Sequence, residues 1–491
     1  MRRLVRLLAI AGAGWAGFEL FKRTRQPVAH DAGVTHTTAM ARNIAVARTT
    51  AKVGASYASH QARRATASPA KQAELDAAFE MKTAEEVVSV LGNMKGALMK
   101  IGQMASFLDD GLPEPMREAL ATLQADAPPM SSQLAAQVVE QELGAPPKVL
   151  FAEWDEKPMS AASIGQVHRA VTKDGAAVAV KVQYPGVDKA IIADLDNSNM
   201  LFAVLGMVFP NLDPKPVVQE LRERLTEEVD YRIEAKNQSD FHTWYAEHPF
   251  IHVPKVFADL STQRVLTTEL ATGARFDEVA TPWSYEEKQL AAETIHRFVF
   301  RSLWMFKAFN GDPHPGNYLF RPGGRVTFLD FGLVKRFVQQ DLDDAAHMIQ
   351  ALVIEEDSAK YRHIMEDVGF LQPNAPLTDE EVEDYFGYFY ELIRHGGGPR
   401  LVTHEYAAAM IGKYFDPNGS RVLKFANMMP DFAILQRINL GLYAILARLE
   451  ARADWLAITR EIWPFAPGEP STALGHEEAA WAAKMREWPT T

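Results

Sequence analysis

Five side chains in this sequence are of the types that phosphoryl transfer requires. Asp312 and Asn317 lie in "FNGDPHPGNYLF", residues 309–320. Pro313 and Pro315 fix φ there and stiffen the run. Asp330 follows in "FLDFGL", at the end of a strand-like stretch. Lys181 stands inside the apolar run "AVAVKVQY", where a lysine must be paired or functional. Glu234 belongs to an acidic stretch further on. Phosphoryl transfer needs a lysine on the α/β-phosphates and a carboxylate to hold that lysine. It also needs an oxygen-ligand pair for Mg²⁺ and a carboxylate near the attacking oxygen. Lys181, Glu234, Asn317 with Asp330, and Asp312 supply these in turn.

Each signal is weak alone. Asp312 and Asn317 could cap a turn, Lys181 could snorkel from an edge strand, and Asp-Phe-Gly occurs by chance. Their order carries the reading: a strand lysine, an acidic helix, Asp-x4-Asn, then Asp-Phe-Gly, as in a kinase-like enzyme. Two features depart from an ordinary protein kinase. The loop over the phosphates is "MSAASIGQVHRA", with Ala161, Ala162 and Ser163 and a lone Gly165 where glycines are expected. Alanine opens fewer backbone conformations, so the loop should be stiffer. Glu234 also lies far beyond Lys181 in sequence, which implies an insertion between strand and helix.

The elements that position these residues follow from periodicity. Apolar residues at threes and fours predict a helix over about 78–108, and others over 116–123 and 132–143, the last opened by a serine cap. From Pro147 the pattern becomes strand, loop, strand, turn, strand, with "KDG" at 173–175 as a hairpin turn. Helices are predicted over 188–206 and 215–240. In the second, Glu220, Glu223, Glu227, Asp230 and Glu234 recur so as to share one face. "HVPKVFADLSTQRVLTTELATG" reads as two strands, and 284–460 as mainly helical. The stretch after Pro467 reads as a weakly determined tail.

With 491 residues, 47% of them hydrophobic, the chain can fill a two-lobed core. A net charge of −12 argues against general nucleic-acid binding. The absence of cysteine excludes disulfides and thiolate-ligated metals. Residues 1–48 differ, carrying eight Lys/Arg against two acids around "LLAIAGAGWAGF". Twelve apolar residues fall short of the ~20 that a span needs. A membrane-surface helix, a soluble packed helix and a cleaved signal all remain open.

Taken together, these motifs resemble the ABC1/ADCK/UbiB family of atypical kinases over roughly residues 85–450. "LMKIGQMASF" is similar to its Lys-x-Gly-Gln motif, here Lys100, Gly102 and Gln103. "SAASIGQVH" resembles its alanine-rich loop, with Ser160 where alanine is common. "VAVKVQYPGV" resembles the nucleotide-lysine strand. "EEVDYRIEAKN" resembles the Glu-x-Asp motif, Glu228 and Asp230, followed by Glu234. "GDPHPGN" and "DFG" resemble its catalytic and metal loops. The resemblance implies an α+β, two-lobed protein-kinase-like fold with an N-terminal helical extension packed over the active site, from which Lys100 and Gln103 reach the nucleotide pocket.

The implied organisation is a basic segment 1–48, a linker 49–83 and a helical extension 84–150. An N-lobe 151–272, a C-lobe 273–460 and a tail 461–491 follow. Ala161, Ala162, Ser163, Gly165, Gln166, Lys181, Glu228, Asp230, and the hinge at Glu269 and Ala271 would bind nucleotide. The resemblance implies ATP and Mg²⁺ as cofactors. It also implies an ATPase or atypical kinase supporting isoprenoid-quinone biosynthesis, with a lipid or quinone precursor and quinone-biosynthesis enzymes as partners. The alternatives are a protein kinase and a low-turnover nucleotide-binding scaffold. The expected location is cytoplasmic, peripheral to the membrane or anchored to it by the N-terminus.

Overall fold

The computed structural model describes residues 130–162, 164–187, 226–280, 282–310, 314–394, 396–415, 420–427, 439 and 441–485. All of them fall in the unit 43–491. The predicted segments 1–48 and 49–83, Lys100, Gln103, Ser163, the insertion after residue 187 and Asp312 lie outside the described residues.

The first described helix, α1 (Ser132–Leu143), opens where the side chain of Ser131 accepts the Leu134 N–H at 3.3 Å. Such a cap stabilises a helix by about 1 kcal/mol. The small sheet that follows has strands β1 (Glu153–Trp154), β2 (Ser160–Ala162), β3 (Gly165–Val171), β4 (Ala177–Gln183) and β6 (Val265–Glu269), ordered β1-β3-β4-β6 with β2 also on β3. The Lys-Asp-Gly turn joins β3 to β4, and Gly175 takes the φ of +88° such a turn needs.

Strand alternation then sets the two faces of β4. Val178, Val180 and Val182 point one way and Lys181 the other. The valine face packs on Ala135, Val138 and Val139 of α1. Burying each such valine contributes roughly 1.5–3 kcal/mol. The described part of the helical extension therefore covers the sheet face turned away from Lys181.

The predicted acidic helix is broken. Residues 226–228 form a short helical turn, the backbone is extended at Asp230 (φ −117°, ψ 92°), and α2 (Tyr231–Trp244) starts after it. Glu227 therefore does not share a helix face with Glu234. The two predicted strands of 251–272 also part company. β5 (Ile251–His252) pairs in parallel with β9 (Arg325–Phe328), while β6 joins the first sheet.

The helical lobe is built on α3 (Tyr285–Phe306), capped by Ser284. Its C-cap Lys307 turns the chain with φ 54° into β7 (Ala308–Asn310). β8 (Tyr318–Arg321) and β9 form a hairpin, and β7 pairs with β10 (Val334–Arg336). These strands hold 308–310 and 318–336 against the end of α3. Helices α4 (Gln339–Ile349), α5 (Ser358–Val368), α6 (Asp379–Phe386), α7 (His404–Phe415) and α8 (Trp455–Arg460) complete the lobe. The stretch 441–449 is buried through Leu442, Ile445, Leu446 and Leu449, as expected of a packed helix.

The predicted tail is instead part of this core. Helix α9 (Ala473–Met485) buries Glu478 and Trp481, and Trp481 donates its indole N–H to the Ala246 carbonyl at 3.0 Å. Alanine and glutamate composition hides this because the anchoring partner, Arg297, is distant in sequence. Among the described residues no helix is long and apolar enough to cross a membrane.

Candidate nucleotide and metal site

Lys181 leaves the polar face of β4 and donates to both oxygens of Glu234, at 3.0 and 2.8 Å, across 53 residues of sequence. Glu234 is 5% exposed on the first turn of α2. One turn further, Asn237 donates its amide to the Phe331 carbonyl at 3.1 Å. Phe331 is fully buried, with its ring centroid 4.9 Å from that of Phe241, also on α2. A single helix thus holds the lysine through Glu234 and the Asp-Phe-Gly segment through Asn237 and Phe241. The stripe 234, 237, 238, 241 has helical spacing, so Asn237 could have been found from the sequence.

Asp330 is fixed by its surroundings. Its Oδ1 accepts the Gly332 N–H at 2.9 Å, and its carbonyl accepts the Asn310 amide at 2.8 Å. The neighbouring Leu329 N–H donates to the Asn317 carbonyl at 3.0 Å, which brings Asn317 beside the Asp330 strand end. Asn317 closes a 3₁₀ turn, Pro315–Asn317, whose start is tied by the Gly316 N–H to His314 Nδ1 at 3.0 Å.

The charges do not balance. Burial opposes the Lys181 ammonium, but Glu234, Tyr231 and Asp330 outweigh it and lift its pKa well above the usual value. Burial pushes Glu234 up to about 6, against the pull of Lys181 and with the help of Asp330 and Glu228. Burial is the larger cause at Glu234; beyond it, a single ammonium faces several carboxylates, and a further cation would relieve the excess. Among the described residues no group of three or more His, Cys, Asp or Glu forms a metal cage. A carboxylate and an amide, both hard oxygen donors, fit Mg²⁺, which keeps waters and takes phosphate oxygens.

The other expected residues divide. Ala161 and Ala162 lie in β2, paired with Gln166 and Gly165, so the alanine-rich loop is a tight hairpin. A Cβ on Gly165 would meet the Val182 carbonyl oxygen at 2.2 Å, so only glycine fits there. Gln166 is a correction. It is fully buried and pairs through Nε2 with His168 Nε2 at 2.9 Å. It also lies opposite Val182, on the sheet face away from Lys181. Asp230 has its carboxylate engaged within the protein. It accepts the Arg232 N–H at 3.0 Å as the α2 cap and pairs with the Arg232 guanidinium at 2.6 Å. Glu269 ends β6, and its side chain turns to β5, 3.2 Å from His252 Nε2 and 3.3 Å from the Lys255 N–H. The strand end at Glu269, with half-buried Ala271 just beyond it, is what can serve as a hinge.

Residues 122–365 match the family described as the ABC1 atypical kinase-like domain. The chain is 34% identical over 304 residues to the rat mitochondrial atypical kinase COQ8B, covering 61% of this chain and 57% of that protein. It is 32% identical over 257 residues to the Saccharomyces cerevisiae mitochondrial atypical kinase COQ8, covering 52% and 51%. The chain spans about half the length of the curated relatives it matches. Among solved structures, the Rv3197–erythromycin complex from Mycobacterium tuberculosis superposes with a TM-score of 0.58 at 31% identity. That match covers 80% of this chain and 99% of the other.

Proposed function

Because this chain belongs to the ABC1 atypical kinase-like family, we propose that it binds Mg-ATP in the cleft beside Lys181. It then hydrolyses the nucleotide or passes its γ-phosphoryl to a lipid or small-molecule acceptor, in support of isoprenoid-quinone biosynthesis. The observation that carries the reading is the Lys181–Glu234 pair at 2.8 Å with the Asp-Phe-Gly segment held by the same helix. Both are conditions for phosphoryl transfer in kinase-like sites.

In this reading Lys181 donates to α/β-phosphate oxygens while Glu234 keeps its ammonium in place. Asp330 and Asn317 would hold Mg²⁺, which when bound neutralises charge on the phosphate oxygens. Asp312 is the candidate to accept the proton of the attacking hydroxyl or water. The names of the rat and yeast relatives support kinase chemistry, and the family resemblance supports the quinone link. Attachment at a membrane surface, through residues 1–48, belongs to the same proposal.

Steady-state ATP hydrolysis with Mg²⁺, with and without lipid vesicles, tests it, with Asp330→Asn as control. Turnover that rises with vesicles and vanishes in the control is the expected result. Nucleotide binding without Asp330-dependent turnover in either condition would instead favour a scaffold.

A further inference from the structure

Tyr231 has so far entered only among the groups that raise the Lys181 pKa, yet it touches the lysine at the centre of the site. Its ring face lies 4.8 Å, centroid to Nζ, from Lys181. That is within the range of a cation–π contact, and Tyr231 is only 1% exposed. Tyr231 and Glu234 sit three residues apart on α2, so they lie on one face a turn apart. The helix therefore grips the ammonium with a carboxylate and an aromatic face together.

The placement of Tyr231 is fixed from both sides. Its own N–H donates to the Gln263 carbonyl at 2.9 Å. Two residues earlier, the Val229 carbonyl accepts the Gln183 amide at 2.9 Å. Gln183 lies two positions beyond Lys181 on the same face of β4. The start of α2 is thus tied to the strand that carries the lysine.

We infer that Tyr231 is a positioning residue for Lys181, acting through the negative face of its ring. The chemistry of the cleft gives the reason. Glu234, Asp330 and Glu228 all act on this corner, and a further carboxylate would deepen the excess of negative charge. An aromatic face attracts the ammonium without adding charge and uses none of its three N–H donors. Those not engaged by Glu234 stay available to a phosphate oxygen. The hydroxyl is buried and makes no hydrogen bond among the described residues.

The inference rests on Lys181 binding nucleotide, and the experiment separates the two claims. Phenylalanine and its mono-, di- and trifluorinated forms are placed at position 231 of the full chain, and the Kd for Mg-ATP is measured. Fluorination drains the ring face with almost no change in volume. Tyr231→Phe is expected to stay within about threefold of the wild type, and each fluorine to weaken binding, by about tenfold across the series. Unchanged melting temperatures across the series keep folding out of the comparison. A flat series, or a full loss already at Tyr231→Phe, overturns the inference. Lys181→Met is measured alongside. Unchanged binding and turnover there would overturn the nucleotide reading itself, and the inference with it. A defective Lys181→Met beside a flat series would overturn the role of Tyr231 alone.

Discussion

Two clusters of buried charge stand in this protein, one in the cleft and one in the helical lobe. In the cleft, Lys181 serves Glu234 with Asp330 and Glu228 close by. In the lobe, fully buried Arg297 donates to Glu293, Glu478 and Glu461 at 2.8, 2.9 and 2.7 Å and to Thr472 at 3.0 Å, and Arg301 adds a second pair to Glu478 at 2.8 Å. Both clusters hold more acids than bases. They differ in donors. The guanidinium forks satisfy each carboxylate of the lobe, and Glu478 is held far below the usual carboxylate range despite burial. The single ammonium of the cleft cannot do this, and Glu234 rises to about 6. A saturated cluster fixes structure, and an under-donated one is poised to receive a cation.

The largest test of this contrast is Arg297→Ala. It removes the only guanidinium on Glu293 and Glu461 among the described residues, leaves Glu478 to Arg301 alone, and should cost about 3–5 kcal/mol of stability, measured by denaturant unfolding. A loss below 1 kcal/mol would mean the lobe cluster is not structural. Lys181→Met should do the reverse. It should lower kcat/KM for ATP by roughly 10²–10³, or about 3–4 kcal/mol, in protein that still folds.

Acid should separate the clusters next. Turnover should fall as pH drops through about 6, where Glu234 takes up a proton. Its folded pKa exceeds the unfolded value of ~4.3, so its own contribution to stability is present at low pH and lost as pH rises through 6. The buried histidines oppose this. Burial holds His296 down to about 3, with Arg297 adding to the shift, and burial also lowers His248 and His168. Each unfolds to a form that binds a proton below ~6.5, so together they remove stability as pH falls from there. His296→Gln should flatten that slope by up to about 1.4 kcal/mol per pH unit and leave the acid limb of turnover where it is. A joint shift of both would show that one cluster governs both profiles. The smallest effect belongs to Asp230→Ala, which should cost about 1 kcal/mol as a lost cap. A tenfold loss of Mg-ATP affinity would instead return Asp230 to the binding site.

The cleft was the legible half in sequence. Lys181 and Asp330 stood out because charged residues inside apolar runs violate a local rule, and function is the usual reason; Glu234 was found by its place in the order of motifs. The lobe cluster was hidden for the opposite cause. Arg297 lies in a helix where an arginine looks ordinary, and Glu478 lies 181 residues away in a stretch read as tail. Only long-range packing makes them partners. Faces were misread where a local rule was applied without its neighbour. The acidic spacing from Glu220 to Glu234 assumed one helix, and the break at Asp230 cancels it. Gln166 was taken with its motif, while strand alternation alone would have placed it on the sheet face away from Lys181. Tyr231 escaped because an aromatic at helical spacing reads as core.

Calorimetric titration with Mg²⁺ alone at pH 6, in buffers of different ionisation enthalpy, tests the under-donated cleft most directly. The account predicts binding with net proton release from the wild-type protein, as the arriving cation lowers the pKa of Glu234, and loss of that release in Asp330→Asn. Binding without proton release, and indifferent to Asp330→Asn, would contradict it.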